Sequence, residues 1–457
     1  MLLNKFLYIS YIFILLMIQF PKLSHLGLKF SKCARSNSPS KNLVARKKSD
    51  IKFGSRDKDN NGFVKGTVKV RIYGSLHKFA FYYIYMGIGN PKVKQMLIID
   101  TGSQQINVAC GNSPSCGKHS LDNYNYQNSV TYKPIDCESD SCKIIEGGCD
   151  LERSCIFSET YSEGSNVKGM YIGDLVSFDT DEDSSDLSSF FDYIGCVTHE
   201  SAMIRSQITN GILGLSRSDK NPLIKNEYYE SQSFIEKYLT DHFSPRHKIF
   251  SLCLSEDGGV LTLGGYDKDL DMLVKKKSDM IWTPMVKSEF YIVRVFRFTI
   301  DDDVTDVNRK NFVLDTGTTL STFEKELFIK IEKPIKEACY QNKKFSKIKK
   351  TNIECKVDEV NGKICFSDIT KLPIITINFE NGTNFDWKPE SYMIDRTVKR
   401  TINDYSWWCL GIEESKTNEN IFGANFFKNN HVVFNLDKEL IGISHGNCPD
   451  NGFPNKP

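Results

Sequence analysis

The triplet Asp-Thr-Gly occurs twice in this 457-residue chain, at Asp100-Thr101-Gly102 and Asp315-Thr316-Gly317. Each copy ends an apolar run, Met96-Leu97-Ile98-Ile99 before the first and Phe312-Val313-Leu314 before the second. Each continues into a hydroxyl residue, Ser103 or Thr318. A single triplet would be weak evidence, since roughly one chance match in twenty is expected at this length. Two copies in matching contexts are much stronger, because an apolar-apolar-Gly element follows each at a similar distance: Ile212-Leu213-Gly214 and Ile421-Phe422-Gly423. The chain therefore reads as one duplicated lobe, with one acid contributed by each half.

From Gly66 onward the sequence breaks into short β-rich runs, among them Val68 to Tyr73, Phe79 to Met86, Tyr291 to Phe296, Ile374 to Phe379 and Val432 to Phe434. Gly, Asn and Asp punctuate them, and this density of short strands predicts an all-β architecture. Helical patterns are few, mainly Ser231 to Leu239 and Phe323 to Ala338, the second with Ser321 or Thr322 as its expected cap. The expected organisation is a signal segment at 1–21 and a polar, basic leader at 22–65. An N-terminal lobe at 66–267, a C-terminal lobe at 268–450 and a polar tail at 451–457 follow. A lobe of about 200 residues buries a core without help.

Charge excludes little but demands nothing: 59 basic against 57 acidic residues give a net +2, with no call for nucleic acid or an anionic surface. The apolar run Phe6 to Phe20 is short for a membrane span and fits the core of a secretory signal; a membrane tether is expected only if that segment stays uncleaved. Fourteen cysteines behind such a segment imply an oxidising compartment. Six cluster early, at Cys110, Cys116, Cys137, Cys142, Cys149 and Cys155. None of their spacings is the C-x-x-C knuckle and His119 is the only histidine nearby, so disulfides are expected and a metal is not. Cys253, Cys339, Cys355, Cys365, Cys409 and Cys448 form an even set in the second half, leaving Cys33 and Cys196 without obvious partners. Asn381-Gly382-Thr383 is a glycosylation sequon set in a turn.

Two carboxyl groups brought face to face can serve as base for a water and acid for a peptide bond. Like charge at close range makes them share one proton, and the two resulting pKa values belong to the pair. Proton sharing of this kind is established behaviour for paired carboxyl groups. Gly102 and Gly317 permit a tight turn and close backbone approach. The hydroxyls of Thr101, Ser103, Thr316 and Thr318 are expected to hydrogen-bond across the pair and fix its geometry.

On these residues the chain, from about Gly66 to Pro449, resembles the pepsin-like aspartic proteases. The resemblance implies a bilobal all-β fold, a substrate cleft between pseudo-twofold-related lobes, no cofactor, no metal, and protein or peptide substrates. It implies Asp100 and Asp315 as catalytic pair and Tyr161, in Glu159-Thr160-Tyr161-Ser162-Glu163-Gly164-Ser165, as flap tyrosine. Asn107 stands where digestive members carry a tryptophan that supports the flap. Cys116-Gly117-Lys118-His119, Cys137-Glu138-Ser139-Asp140-Ser141-Cys142, Trp408 to Glu413 and Asn447-Cys448-Pro449 are similar to a cysteine-rich branch, the apicomplexan export-motif proteases. Through that branch Glu138 and Glu163 are implied as readers of a substrate arginine three residues before the cut. The same resemblance implies Cys253–Cys448, Cys365–Cys409 and Cys339–Cys355 pairs, with the early cysteines bonded among themselves.

The expectation is a monomeric aspartic endopeptidase of the secretory pathway lumen, or secreted or vacuolar, cutting at an arginine-containing site. A broad acid degradative peptidase and a catalytically inactive peptide-binding member are the alternatives.

Overall fold

The computed structural model describes residues 67–111, 113–178, 189–218, 233–243, 247–271, 273–274, 277–278, 280–301, 303–345, 354–358, 362–396 and 407–450. The expected signal segment, leader and tail, with Cys33, lie outside them. Among the described residues no helix is long and apolar enough to cross a membrane.

Strands dominate, and their burial explains them. In Val68–Ser75 the alternate residues Val68, Val70 and Ile72 are buried while Lys69, Arg71 and Tyr73 are half-buried, the period of a sheet with one covered face. The strand Val93–Asp100 differs, because Met96, Leu97, Ile98 and Ile99 are all buried. A strand covered on both faces suits an acid that must be held away from bulk water.

The wiring around the two triplets is the same. Gly211–Gly214 runs parallel to Val93–Asp100 with Gly214 opposite Asp100, and Ile421–Phe422 runs parallel to the end of Asp303–Leu314 with Phe422 opposite Leu314. The Leu215 N–H donates to the Asp100 carbonyl at 2.7 Å, and the Asp315 N–H donates to the Phe422 carbonyl at 3.0 Å. The apolar-apolar-Gly elements of the sequence are thus the strands that clamp each aspartate's backbone. Their glycines give close approach: a Cβ on Gly214 would lie 2.5 Å from the Gln105 nitrogen.

One sheet ties the halves together. Val68–Ser75 pairs with Gly258–Leu263, which pairs with Ile249–Ser255, which pairs in turn with Asn430–Asn435 near the end of the chain. The Cys253–Cys448 disulfide crosses the same junction. Val357, Asp358, Gly362 and Lys363 fall in a separate unit, where the Asp358 N–H donates to the Lys363 carbonyl at 2.7 Å; the rest of the described residues belong to one compact unit.

Two helices form where expected, with shifted ends. Phe234–His242 is capped by Ser233, whose hydroxyl accepts from the Glu236 N–H. The other runs Lys325–Phe345. Ser321 and Thr322 do not cap it, because they lie in the strand Ser321–Phe323. Ser321 Oγ instead donates to Asn425 Oδ1 at 2.8 Å and accepts from the Gly423 N–H at 3.1 Å, fastening the second clamp.

The early cysteines correct one expectation. Cys137–Cys149 and Cys142–Cys155 are bonded within the insert, but Cys110 is bonded to Cys196 and Cys116 is the free thiol among the described residues. Ile106–Ala109 runs parallel to Ser189–Glu200 with Val108 opposite Cys196. That non-local register brings Cys110 beside Cys196, and no linear spacing reveals it. Cys116 Sγ donates to the Val197 carbonyl at 3.5 Å instead. In the second half the bonds are Cys253–Cys448, Cys339–Cys355 and Cys365–Cys409.

Candidate active site

The two triplets meet, and each is held by the other. The Thr101 N–H donates to Thr316 Oγ1 at 3.1 Å, and the Thr316 N–H donates to Thr101 Oγ1 at 3.0 Å. Each hydroxyl then donates onward: Thr101 to the Leu314 carbonyl and Thr316 to the Ile99 carbonyl, both at 2.9 Å. Both threonines are buried, so these four bonds work without competition from water.

The aspartates sit directly above. Asp100 Oδ1 accepts from the Gly102 N–H at 2.8 Å and Asp100 Oδ2 from the Ser103 hydroxyl at 2.6 Å. Asp315 repeats the pattern with the Gly317 N–H at 2.8 Å and the Thr318 hydroxyl at 2.5 Å. Ser103 and Thr318 therefore do not reach across the pair as expected. They are too short to pass the carboxyl group of their own triplet, and they orient it instead. The glycines explain the approach of the halves: a Cβ on Gly102 would stand 2.8 Å from Asp315 Oδ1, and one on Gly317 would run into the Asp100 carboxylate.

Burial, and after it the Asp315 carboxylate alongside, pushes the Asp100 carboxyl well above the usual carboxylate range. The Ser103 and Gly102 donors pull the other way and lose. The geometry therefore favours a carboxyl that keeps a proton beside a half-buried partner, the division of labour that acid–base work on a bound water requires.

Tyr161 is half-buried at the turn after Cys155–Thr160, where burial, and after it the Glu159 charge, raises its hydroxyl pKa, with a smaller part from Asp100. The turn closes through the Gly164 N–H donating to the Tyr161 carbonyl at 2.9 Å, with Gly164 at φ +95°. Glu163 is exposed at its tip. Glu138 is elsewhere engaged: its Oε2 accepts from Arg153 at 2.9 Å, and Arg153 also holds Asp136. Asn381 is exposed, its Nδ2 donating to the Trp282 carbonyl at 2.8 Å and its Oδ1 accepting from the Thr383 hydroxyl at 2.8 Å.

A feature the sequence reasoning missed lies beneath the flap. Asn107 Nδ2 donates to Glu159 Oε2 at 2.7 Å and stands 3.4 Å from the Tyr161 hydroxyl. Glu159 and Tyr161 are two residues apart, so an extended strand puts them on one face; that period was the available signal.

A family model for eukaryotic aspartyl protease matches residues 81–446, most of the chain. The chain belongs to the eukaryotic aspartyl proteases. It is similar to plasmepsin V of Plasmodium falciparum (isolate 3D7), 24% identical over 463 residues covering 85% of this chain and 75% of that protein. Aspartic protease 5 of Toxoplasma gondii is 24% identical over 84% of this chain, which spans only 38% of that longer protein. Aspartic proteinase 39 of Arabidopsis thaliana is 23% identical over 89% of this chain and 83% of its own length. As an aspartyl protease the chain is a peptide hydrolase acting on protein or peptide substrates, and the six disulfides among the described residues fit a secretory route.

Proposed function

We propose that Asp100 and Asp315 are the catalytic pair of an endopeptidase that cuts protein clients of the secretory route at an arginine-containing site. The observation that carries the pair is its reciprocity. Each triplet supplies the hydroxyl acceptor for the other's backbone, and each glycine leaves space for the other's carboxylate. Two acids are not held this way by chance packing.

Water between the carboxyl groups gives its proton to Asp315 as it attacks the peptide carbonyl, while Asp100 gives its proton to the carbonyl oxygen. The tetrahedral diol then collapses as Asp315 passes its proton to the leaving nitrogen and a diol hydroxyl gives its own to Asp100, freeing amine and acid and restoring the pair. No charge is created in the closed site at any stage, which suits a buried pair.

The arginine reading rests on Glu163. A carboxylate at the flap tip meets a substrate guanidinium in a closing cleft, where a planar, two-pronged ion pair is favoured. Glu138 joins only by exchanging Arg153 for the substrate's arginine. The similarity to plasmepsin V and Toxoplasma aspartic protease 5 supports a protease role.

The test is cleavage of a peptide library by purified protein and its variants. Asp100→Asn and Asp315→Asn should be folded and inactive. Arginine three residues before the cut should exceed lysine and alanine. Glu163→Ala should lower kcat/KM for the arginine peptide about tenfold to a hundredfold and leave an alanine peptide unchanged. Cleavage by either Asn variant would remove the dyad; equal losses on both peptides would remove the arginine reading alone.

A further inference from the structure

The carboxylate beneath the flap has no role in the dyad chemistry. Glu159 Oε2 accepts from Asn107 Nδ2 at 2.7 Å and, over a longer 3.4 Å, from the Tyr161 hydroxyl. Three polar groups from the strand Ile106–Ala109, the strand Cys155–Thr160 and the flap turn meet at one point. Asn107 is buried and its Oδ1 has no hydrogen-bond partner. Gly195, directly across on the neighbouring strand, is what leaves room for it, since any Cβ there would strike Oδ1. Leaving that amide oxygen unsatisfied costs free energy. The arrangement tolerates it in order to aim Nδ2 at Glu159.

Placing a carboxylate among Phe157, Tyr171 and Tyr161 is unfavourable for folding by itself. What it provides is direction. A phenol has one hydrogen, and an ionised Oε2 fixes where that hydrogen points. The tyrosine oxygen is then oriented and the ring is held at both ends, by the backbone turn and by the hydroxyl.

We propose that Glu159 is a positioning residue for peptide cleavage, holding the Tyr161 hydroxyl and hence the flap, with Asn107 as the second support. The inference rests on Asp100 and Asp315 being the catalytic pair and Tyr161 the flap tyrosine.

The pH behaviour follows from the groups that face it. Burial raises the Glu159 pKa, opposed by hydrogen bonds from Asn107 and Tyr161. Tyr171 feels the charges of Glu159 and Glu146, and Tyr161 those of Glu159 and Asp100. None of these groups is a cation. Both donors reach Oε2, so protonation, even on Oε1, removes the charge from their acceptor and weakens both bonds. Anchoring is therefore strongest above the folded pKa of Glu159 and weakens as pH falls through it.

The experiment is kcat/KM against pH on one peptide for wild type, Glu159→Gln, Asn107→Ala, Tyr161→Phe and the Glu159→Ala/Tyr161→Phe cycle. Glutamine accepts from the same donors without titrating, so Glu159→Gln should keep the plateau within about threefold and move the acid limb to lower pH. Asn107→Ala removes a donor to the carboxylate and should move that limb to higher pH. Glu159→Ala and Tyr161→Phe should each lower kcat/KM about tenfold, and the double variant should lose little more. Additive losses in the cycle, or an acid limb that Glu159→Gln and Asn107→Ala leave in place, would overturn the proposal. Asn107→Ala keeps it testable if the Glu159 variants do not fold. Activity in Asp315→Asn would instead overturn the dyad, while an inactive Asp315→Asn with an additive cycle would remove only the role of Glu159.

Discussion

Replacing Thr101 by valine keeps the side-chain shape and removes one hydroxyl with two jobs. Thr101 Oγ1 accepts from the Thr316 N–H at 3.0 Å and donates to the Leu314 carbonyl at 2.9 Å. Thr316 is buried, so its N–H would have no water to turn to. An unsatisfied buried donor costs about 1–3 kcal/mol, and the lost bond to Leu314 adds about 1 kcal/mol, giving roughly 2–4 kcal/mol in all. Thr316→Val removes a disjoint but equivalent set, the bonds to the Thr101 N–H and the Ile99 carbonyl. The two variants should therefore be destabilised equally, within about 1 kcal/mol, and Thr101→Ser, which keeps the hydroxyl, should lose about 1 kcal/mol or less. Because the triplets carry the carboxyl groups, kcat should fall at least about tenfold in each valine variant with KM little changed. Urea unfolding with the disulfides intact gives the stabilities, and peptide hydrolysis gives the rates. Valine variants with wild-type kcat and stability would refute the view that the crossed threonines set the dyad.

Asp192 offers a pH test away from the dyad. It is buried, its Oδ2 has no partner, and burial raises its pKa from 3.8 to about 6 despite the nearby Lys237. A raised carboxyl leaves stability intact below the unfolded value and removes it as pH climbs towards 6. At about 1.4 kcal/mol per unit, Asp192→Asn should stabilise the protein by about 3 kcal/mol at pH 7 and by almost nothing at pH 3.5, read by urea midpoints at the two pH values. Equal effects at both would refute it. Burial, then the Glu200 charge, pushes the Cys116 thiol up to about 11. Alkylation at neutral pH without reductant should therefore spare Cys116 in the folded protein and label it after unfolding. Label on Cys110 or Cys196 would refute their bond.

The geometry of the candidate site was legible because it is written in short-range pattern. The Asp-Thr-Gly triplets, their apolar approach strands and the later apolar-apolar-Gly elements are all local, and the duplication doubled each signal. What depended on non-local register was hidden. Cys110 finds Cys196 only because two strands far apart in sequence lie side by side, and Ser321 left its expected helix cap because Gly423 and Asn425 required it in a strand. Ser103 and Thr318 were identified as supports, yet which carboxylate each serves is a matter of reach that spacing does not specify. Glu138 shows the opposite limit: its position matched, but Arg153 occupies its carboxylate through contacts only the folded chain displays.

Duplication also explains why the acids are distributed as they are. One lobe could carry two carboxylates, but nothing in a single strand-and-clamp unit would hold them in mutual register. Here each unit fixes its own aspartate through a neighbouring N–H and hydroxyl and presents a threonine that fits only the other unit's copy. The approximate symmetry is broken just where acid–base chemistry needs inequality: Asp100 is buried and Asp315 only partly so. The turn that carries Tyr161 follows a strand of the N-terminal copy. Its tyrosine bears on the Asp100 side, where Glu159 and Asn107 hold it. Near-symmetric assembly thus brings the acids together, and deeper burial raises the pKa of the Asp100 carboxyl beside Asp315.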